Sequence, residues 1–309
     1  MKVITVELDL GMDFFDFKLS LSKKACFKIC DCYYSNYHWD EFGKYIQASV
    51  YITAQEEADS DITIGELAIK KIKRANAIMS YLYGFYFETH LVGYDSYKEV
   101  EEIKHVEYLP KTGNGKRIRE FNEKFNDLDQ TDRTDFEQCC RLLSMGIYFI
   151  YKYNFYEDAL LNFTKIMEKI STKYWETKIT NQFKDEIKQT YEQLLNKYFC
   201  EAYDESSHKG DLKNVTREFK NMINLKRKLV KFAKDKKISV IIDENSDIKE
   251  HIKEIVKFRN DVAHGNLIYR SESVQNYINR CGYVLALEYI SEYFFKAEYL
   301  KIGLNKTIE

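Results

Sequence analysis

Over residues 1 to about 55, apolar and polar side chains alternate with a period of two, the pattern of half-buried β-strands. Ile4, Val6 and Leu8 alternate with Val3, Thr5 and Glu7, and Phe15, Phe17, Leu19 and Leu21 alternate with polar neighbours. Tyr45-Ile46-Gln47-Ala48-Ser49-Val50-Tyr51-Ile52 adds a run of β-prone residues. The period then lengthens. Ile64, Leu67, Ile69, Ile72, Ala75, Ile78, Met79 and Leu82 predict a helix from Thr63 to about Tyr83, capped by Thr63 or Asp61. Residues 85–112 are mixed and predict one or two further strands. Lys111-Thr112-Gly113-Asn114-Gly115-Lys116 reads as a loop. It lacks the Gly-Lys-Ser/Thr ending that a phosphate-binding loop requires.

From about Asp132 the pattern is helical almost to the end. Asp135 to Tyr151 is strongly apolar, Leu160, Phe163, Met167 and Ile170 form one stripe, and Ile179, Phe183, Ile187, Tyr191, Leu194 and Tyr198 form another. A single helix is expected from about Asp211 to Lys234 or Lys237, carrying Val215, Phe219, Met222, Ile223, Leu229 and Ala233. A short Ile238–Ile242 run follows, then the helix that leads into residues 257–266 with Ile248, Ile252 and Ile255 on its stripe. A last helix runs from about Ser273 to Tyr299, with Val274, Tyr277, Ile278, Cys281, Val284, Leu285 and Tyr289 facing inward. Tyr289, Tyr293, Phe294 and Phe295 are either core or a contact surface for a second copy. The pattern predicts a β-rich α+β N-terminal domain over residues 1–125 and an all-α helical bundle over residues 132–301. The boundary falls between residues 112 and 132.

Composition narrows the class. The 309 residues are 45% hydrophobic and 31% charged, with 1 proline and 12 glycines, which favours long helices and excludes collagen-like and disordered chains. The formal net charge of −2 means that any nucleic-acid surface is local rather than global. Charge interrupts the N-terminus too early for a secretory signal, and no apolar run reaches the length of a membrane span, so a cytoplasmic protein with reduced thiols and no membrane contact is expected. Of the 7 cysteines, Cys26, Cys30 and Cys32 lie close together near His38. The spacing matches no zinc motif, so free thiols are expected, with no metal site and no cofactor.

The chemistry concentrates in Lys257-Phe258-Arg259-Asn260-Asp261-Val262-Ala263-His264-Gly265-Asn266. Arg259 and His264 are five positions apart, about 140° round a straight helix, so the helix must end or bend between them for both to serve one site. Gly265 and Asn266 tolerate the left-handed angles that end a helix. Arg259 continues the Ile248, Ile252, Ile255 stripe and so falls where an apolar residue is expected. Two readings stay open: Arg259 pairs with Asp261 or Glu254 and His264 caps the helix, or Arg259 waits in a cleft for an anion such as phosphate. The Asp211–Lys237 stretch is basic, with Lys213, Arg217, Lys220, Lys226, Arg227, Lys228, Lys231, Lys234, Lys236 and Lys237. It is either a solvated outer face or a track for RNA phosphates, with Arg217, Lys220, Arg227 and Lys228 as candidate RNA-binding residues.

Arg259-Asn260-Asp261-Val262-Ala263-His264-Gly265, set between two helices near the end of an all-helical region, resembles the signature of the HEPN superfamily. That signature is an arginine, usually followed by a polar residue, then a histidine after four to six intervening positions. Arg259, Asn260 and His264 match it residue by residue, and the resemblance covers about residues 132–301. A β-rich N-terminal region before such a domain looks most like the Apea-like HEPN proteins of antiphage defence. The resemblance implies a metal-independent endoribonuclease that acts as a homodimer, with the motifs of two protomers facing one cleft. It also implies a phage trigger or regulatory partner. Some HEPN toxins carry a tyrosine two residues past the histidine, the target of an inhibitory nucleotidyltransferase. Here that place is Asn266 and the nearest tyrosine is Tyr269, so this chain departs from that pattern. Other HEPN domains bind nucleotides or RNA, or hold oligomers together, without catalysis.

RNA cleavage needs a base for the 2′-hydroxyl proton, an acid for the leaving 5′-oxygen and positive charge for the phosphorane. An imidazole titrates near neutrality and suits either proton transfer, which assigns His264. A guanidinium fork stays charged and donates to phosphoryl oxygens, which assigns Arg259 as the clamp. Asn260 positions the phosphate or holds the His264 tautomer. Asp261 neutralises Arg259 until substrate arrives.

Overall fold

The computed structural model describes residues 1–10, 24–39, 44–84, 86–89, 97–105, 107–109, 113–238, 247–265 and 271–296. They form two units, one of Met1–Phe163 with the stretch from Phe294, the other of Thr164–Tyr293. The expected strand at Phe15–Leu21, Lys111 and Thr112, residues 239–242 of the short apolar run, and Asn266 and Tyr269 lie outside the described residues.

The strands of the first unit are β1 (Lys2–Leu10), β2 (Phe27–Ile29), β3 (Cys32–Trp39), β4 (Lys44–Ile52), β5 (Phe87–Thr89) and β6 (Lys98–Glu99). They form one antiparallel sheet in the order β2-β3-β4-β1-β5, with β6 also paired to β1. In β1, Ile4, Val6, Leu8 and Leu10 are buried while Thr5 and Glu7 are exposed, which is the predicted alternation. Its partner β4 runs from Ile52 opposite Lys2 to Tyr45 opposite Asp9. The hairpin of β2 and β3 is made from the cysteine-rich stretch, with Cys30 at φ 50° in its turn.

Helix α1 (Ala54–Ala58) is a short turn not foreseen in the sequence, and α2 (Ile64–Tyr83) is the predicted long helix. Thr63 is the cap of α2: its hydroxyl accepts from the Glu66 N–H at 3.2 Å, and Glu66 accepts from the Thr63 N–H at 2.9 Å. Gly84 at φ 71° closes the other end. The buried Tyr34 hydroxyl donates to Asn76 Oδ1 at 2.8 Å and ties β3 to α2.

Helix α3 (Gly113–Asn126) starts within the segment expected as a loop. The glycines signal a turn, but Ile118, Phe121 and Phe125 recur at helical spacing and are buried, and burial outweighs the local signal. Helices α4 (Gln130–Tyr153) and α5 (Tyr156–Tyr174) follow. Phe136 of α4 is fully buried against Tyr81, Phe121, Phe125, Phe294 and Phe295, with ring centroids 5.1–5.8 Å away. Losing such a ring costs roughly 3–5 kcal/mol. Gly146 is required where α4 meets α5, because a Cβ there would collide with the Phe163 ring.

In the second unit, α5 passes through a π-helical turn at Trp175–Ile179 into α6 (Thr180–Phe199). Then come α7 (Glu205–Met222), α8 (Leu225–Asp235), α9 (Ile248–Ala263) and α10 (Glu272–Phe294). Phe232 anchors the core, 4.6 Å from Tyr289 and 5.1 Å from Tyr174 between ring centroids. The Tyr289 hydroxyl donates to the Leu229 carbonyl at 2.7 Å, and the Tyr174 hydroxyl to Asp235 at 2.8 Å. Tyr289 and Phe295 are therefore core residues and not a contact surface.

Three expectations are corrected here. The single basic helix is two, because Asn224 caps α8 by accepting from the Arg227 N–H at 3.0 Å and so interrupts the run. The α6 stripe is not buried along its length: Ile187 and Tyr191 are half-buried, whereas Leu194 and Tyr198 are exposed. In α10, Ile278, Cys281, Val284, Leu285 and Tyr289 are buried as expected, but Val274 and Tyr277, near the start of the helix, are exposed. The α+β N-terminal part followed by an all-α C-terminal part stands as predicted.

Candidate functional site

Helix α9 presents the motif. Asp247 caps it, its carboxylate accepting from the Lys249 N–H at 3.1 Å. His251, Ile252, Ile255 and Phe258 are buried, at helical spacing, and hold the helix to the unit. Arg259 follows Phe258 about 100° round the helix, at the edge of that buried face rather than within it. Its side chain is 33% exposed.

Of the two readings left open for Arg259, the first is corrected in its partner. The carboxylate beside the guanidinium belongs to Glu168 of α5, not to Asp261 or Glu254: Arg259 Nη2 lies 3.4 Å from Glu168 Oε2. Arg259 Nη1 donates to Asn260 Oδ1 at 3.1 Å. Asn260 is exposed, and it precedes His264 by four positions, so the two stand on one face of the helix, one turn apart.

No bend separates Arg259 from His264. The helix runs unbroken to Ala263, and the His264 N–H still donates to the Asn260 carbonyl at 3.0 Å. His264 is the C-cap, with φ −95° and an exposed side chain. The chain turns only at Gly265, at φ 70°, whose N–H donates to the Val262 carbonyl at 3.0 Å. The glycine thus does what the sequence predicts, one residue later than convergence of Arg259 and His264 on one helix would need.

Asp261 is half-buried and forms no ion pair with Arg259 among the described residues; its Oδ2 is enclosed without a hydrogen-bond partner. Glu168 takes the neutralising place expected of Asp261. An enclosed acceptor without a donor is costly, so Asp261 marks a point of local frustration beside the motif.

The remaining candidates are dispersed. Arg217 is exposed on α7, while Arg227 is exposed and Lys228 half-buried on α8. The side chain of Lys220 lies outside what is described. The basic residues therefore sit on two helices and form no single helical track. Cys26, Cys30 and Cys32 are free thiols; burial pushes the Cys30 thiol up to about 12. Among the described residues no group of three or more His, Cys, Asp or Glu is placed to hold a metal ion, and no helix is long and apolar enough to cross a membrane.

Glu168 is the site residue that sequence reasoning missed. Its only local signal is a charge beside the buried Met167 of the α5 stripe, and pairing across 91 positions leaves no trace in spacing.

Residues 161–297 match the family model described as Apea-like HEPN, a span that holds Glu168, Arg259 and His264 together. Comparison with curated proteins and with solved structures gives no significant match.

Proposed function

Residues 161–297 are a HEPN domain of the Apea-like type, and we propose that this domain is a metal-independent endoribonuclease, acting as a homodimer in antiphage defence or as a toxin. The observation that carries the reading is the end of α9. Arg259 is held at its edges by Glu168 and Asn260, half-exposed, and His264 caps the same helix with its imidazole in solvent. A guanidinium with donors to spare and an exposed imidazole at one helix end supply the clamp and one of the two proton transfers that 2′-hydroxyl attack on a phosphodiester needs.

The 2′-oxygen attacks phosphorus as its proton is removed, the bond from phosphorus to the 5′-oxygen breaks, and that oxygen takes a proton as it leaves. A 2′,3′-cyclic phosphate remains on one fragment and a 5′-hydroxyl on the other. His264 supplies one of the two proton transfers. Arg259 donates to the non-bridging oxygens, where negative charge accumulates. Asn260 restrains the guanidinium by accepting from Nη1. The unbroken helix keeps Arg259 and His264 about 140° apart at their backbones, so a second protomer related by a two-fold axis completes the acid, base and clamp.

The test is incubation of the purified protein with RNA in EDTA, with the product ends identified. Cleavage with 2′,3′-cyclic phosphate ends, blocked by 2′-deoxy substitution at the cut site, is the expected result. RNA that is bound and never cut supports the non-catalytic binding module instead. Metal-dependent cuts that leave 5′-phosphates refute the mechanism.

A further inference from the structure

We infer that Glu168 is a working part of this site, a positioning residue that orients the Arg259 guanidinium for a phosphodiester; the inference rests on the ribonuclease reading above. Glu168 lies on α5 beside the buried Ile166, Met167 and Ile170, which fix that helix in the unit. Its carboxylate is 41% exposed and meets Arg259 through one contact of 3.4 Å.

The geometry of that contact decides its role. A guanidinium carries five N–H donors in a rigid plane. Glu168 engages Nη2 and Asn260 engages Nη1, so the two terminal nitrogens are each restrained and the plane is fixed. A carboxylate that gripped the fork with both oxygens would occupy the face an anion needs. Glu168 makes one long contact and leaves that face open. An ion pair this exposed adds little to folding, so its contribution is to the direction of Arg259 rather than to the fold.

The same carboxylate brings a negative charge beside the place of the phosphate. Orientation and charge thus act in opposite senses: the first favours turnover, the second weakens RNA binding. Two substitutions separate them. Glu168→Gln removes the charge and keeps an oxygen that accepts from Arg259. Glu168→Ala removes both.

The experiment measures kcat and KM on an RNA oligonucleotide, and separately the affinity for an uncleavable 2′-deoxy-substituted oligonucleotide by fluorescence anisotropy, with circular dichroism as a check on the fold. In Glu168→Ala, kcat falls roughly tenfold or more, as a loosened catalytic group does. In Glu168→Gln, kcat stays within about threefold of the unsubstituted protein, and both variants bind the uncleavable oligonucleotide several-fold more tightly, because a like charge near the phosphate is gone. Unchanged kcat and affinity in Glu168→Ala overturn the inference. So does a Glu168→Gln variant as slow as Glu168→Ala, since that result shows that an accepted hydrogen bond does not suffice to orient Arg259 and that the carboxylate acts through its charge. If Glu168→Ala does not fold, Glu168→Gln alone decides, through its expected gain in affinity at retained kcat. An unsubstituted protein that cuts no RNA brings down the ribonuclease reading and this inference together, whereas failure at Glu168 alone leaves the ribonuclease reading standing.

Discussion

Arg74 in the sheet-containing unit and Arg259 in the helical unit are exposed to a similar degree, 39% and 33% of their side chains, yet they are held in opposite ways. Arg74 grips Glu137 with Nε at 2.8 Å and Nη2 at 2.5 Å, and Asp31 stands 3.8 Å away. The hydrogen bond to Glu137 pushes the Arg74 pKa still higher. That fork is occupied, and it joins α2 to α4. Arg259 has one long contact and one bond to its neighbour, so its fork is open. The C-terminal ends differ by one residue: the left-handed Gly84 follows α2 directly, whereas an exposed His264 stands between α9 and its left-handed Gly265. Exposure alone does not tell an arginine whose donors are engaged from one with donors to spare; the number and geometry of its hydrogen bonds do.

The contrast breaks most sharply by substitution. Arg259→Ala and His264→Ala are each expected to lower RNA cleavage by about 10²- to 10⁴-fold with an unchanged melting curve. Arg74→Ala is expected to keep cleavage and lose about 1–3 kcal/mol of stability in urea titration, because the Glu137 carboxylate, only 19% exposed, is left without its partner. Cleavage lost in Arg74→Ala without loss of stability would erase the distinction between the two arginines.

Next in size is the response of the proposed dimer. Subunits carrying Arg259→Ala and His264→Ala, co-expressed with two tags and purified as a mixed dimer, are expected to regain part of the activity that each lacks alone. A monomer that cuts RNA at full rate at nanomolar concentration refutes the shared site.

A smaller effect is expected on the basic surface of the helical unit. Charge reversal at Arg217, Lys220 and Arg227 weakens RNA binding and flattens the plot of log affinity against log salt by roughly 0.7 for each single-strand phosphate that is no longer neutralised. An unchanged slope returns α7 and α8 to a solvated face.

The smallest effect compares the thiols of the two units. Cys30, Cys32, Cys139 and Cys140 are buried or half-buried in the first unit, while Cys200 is exposed in the second. Burial disfavours the thiolate and pushes the Cys30 thiol up, so little of it is ionised at pH 8. Alkylation at that pH, followed by peptide mapping, is expected to label Cys200 first and Cys30, Cys32, Cys139 and Cys140 only after denaturation. Early labelling of Cys30 contradicts its burial.

The alternation of Ile4, Val6 and Leu8 with Thr5 and Glu7, a cap of α2 at Thr63 or Asp61, and the Gly265 turn were legible in the amino-acid order, because each follows from backbone geometry within a few residues. So was the Arg259–His264 motif, a local constellation on one helix end. The start of α3 at Gly113, the break at Asn224, the exposure of Leu194 and Tyr198, and the pairing of Arg259 with Glu168 were not. These depend on which surfaces the packed unit covers and on which carboxylate it brings beside a guanidinium. Periodicity reports that a helix has an apolar side; only the fold decides what that side meets, since burial and charge pairing act between residues far apart in the chain.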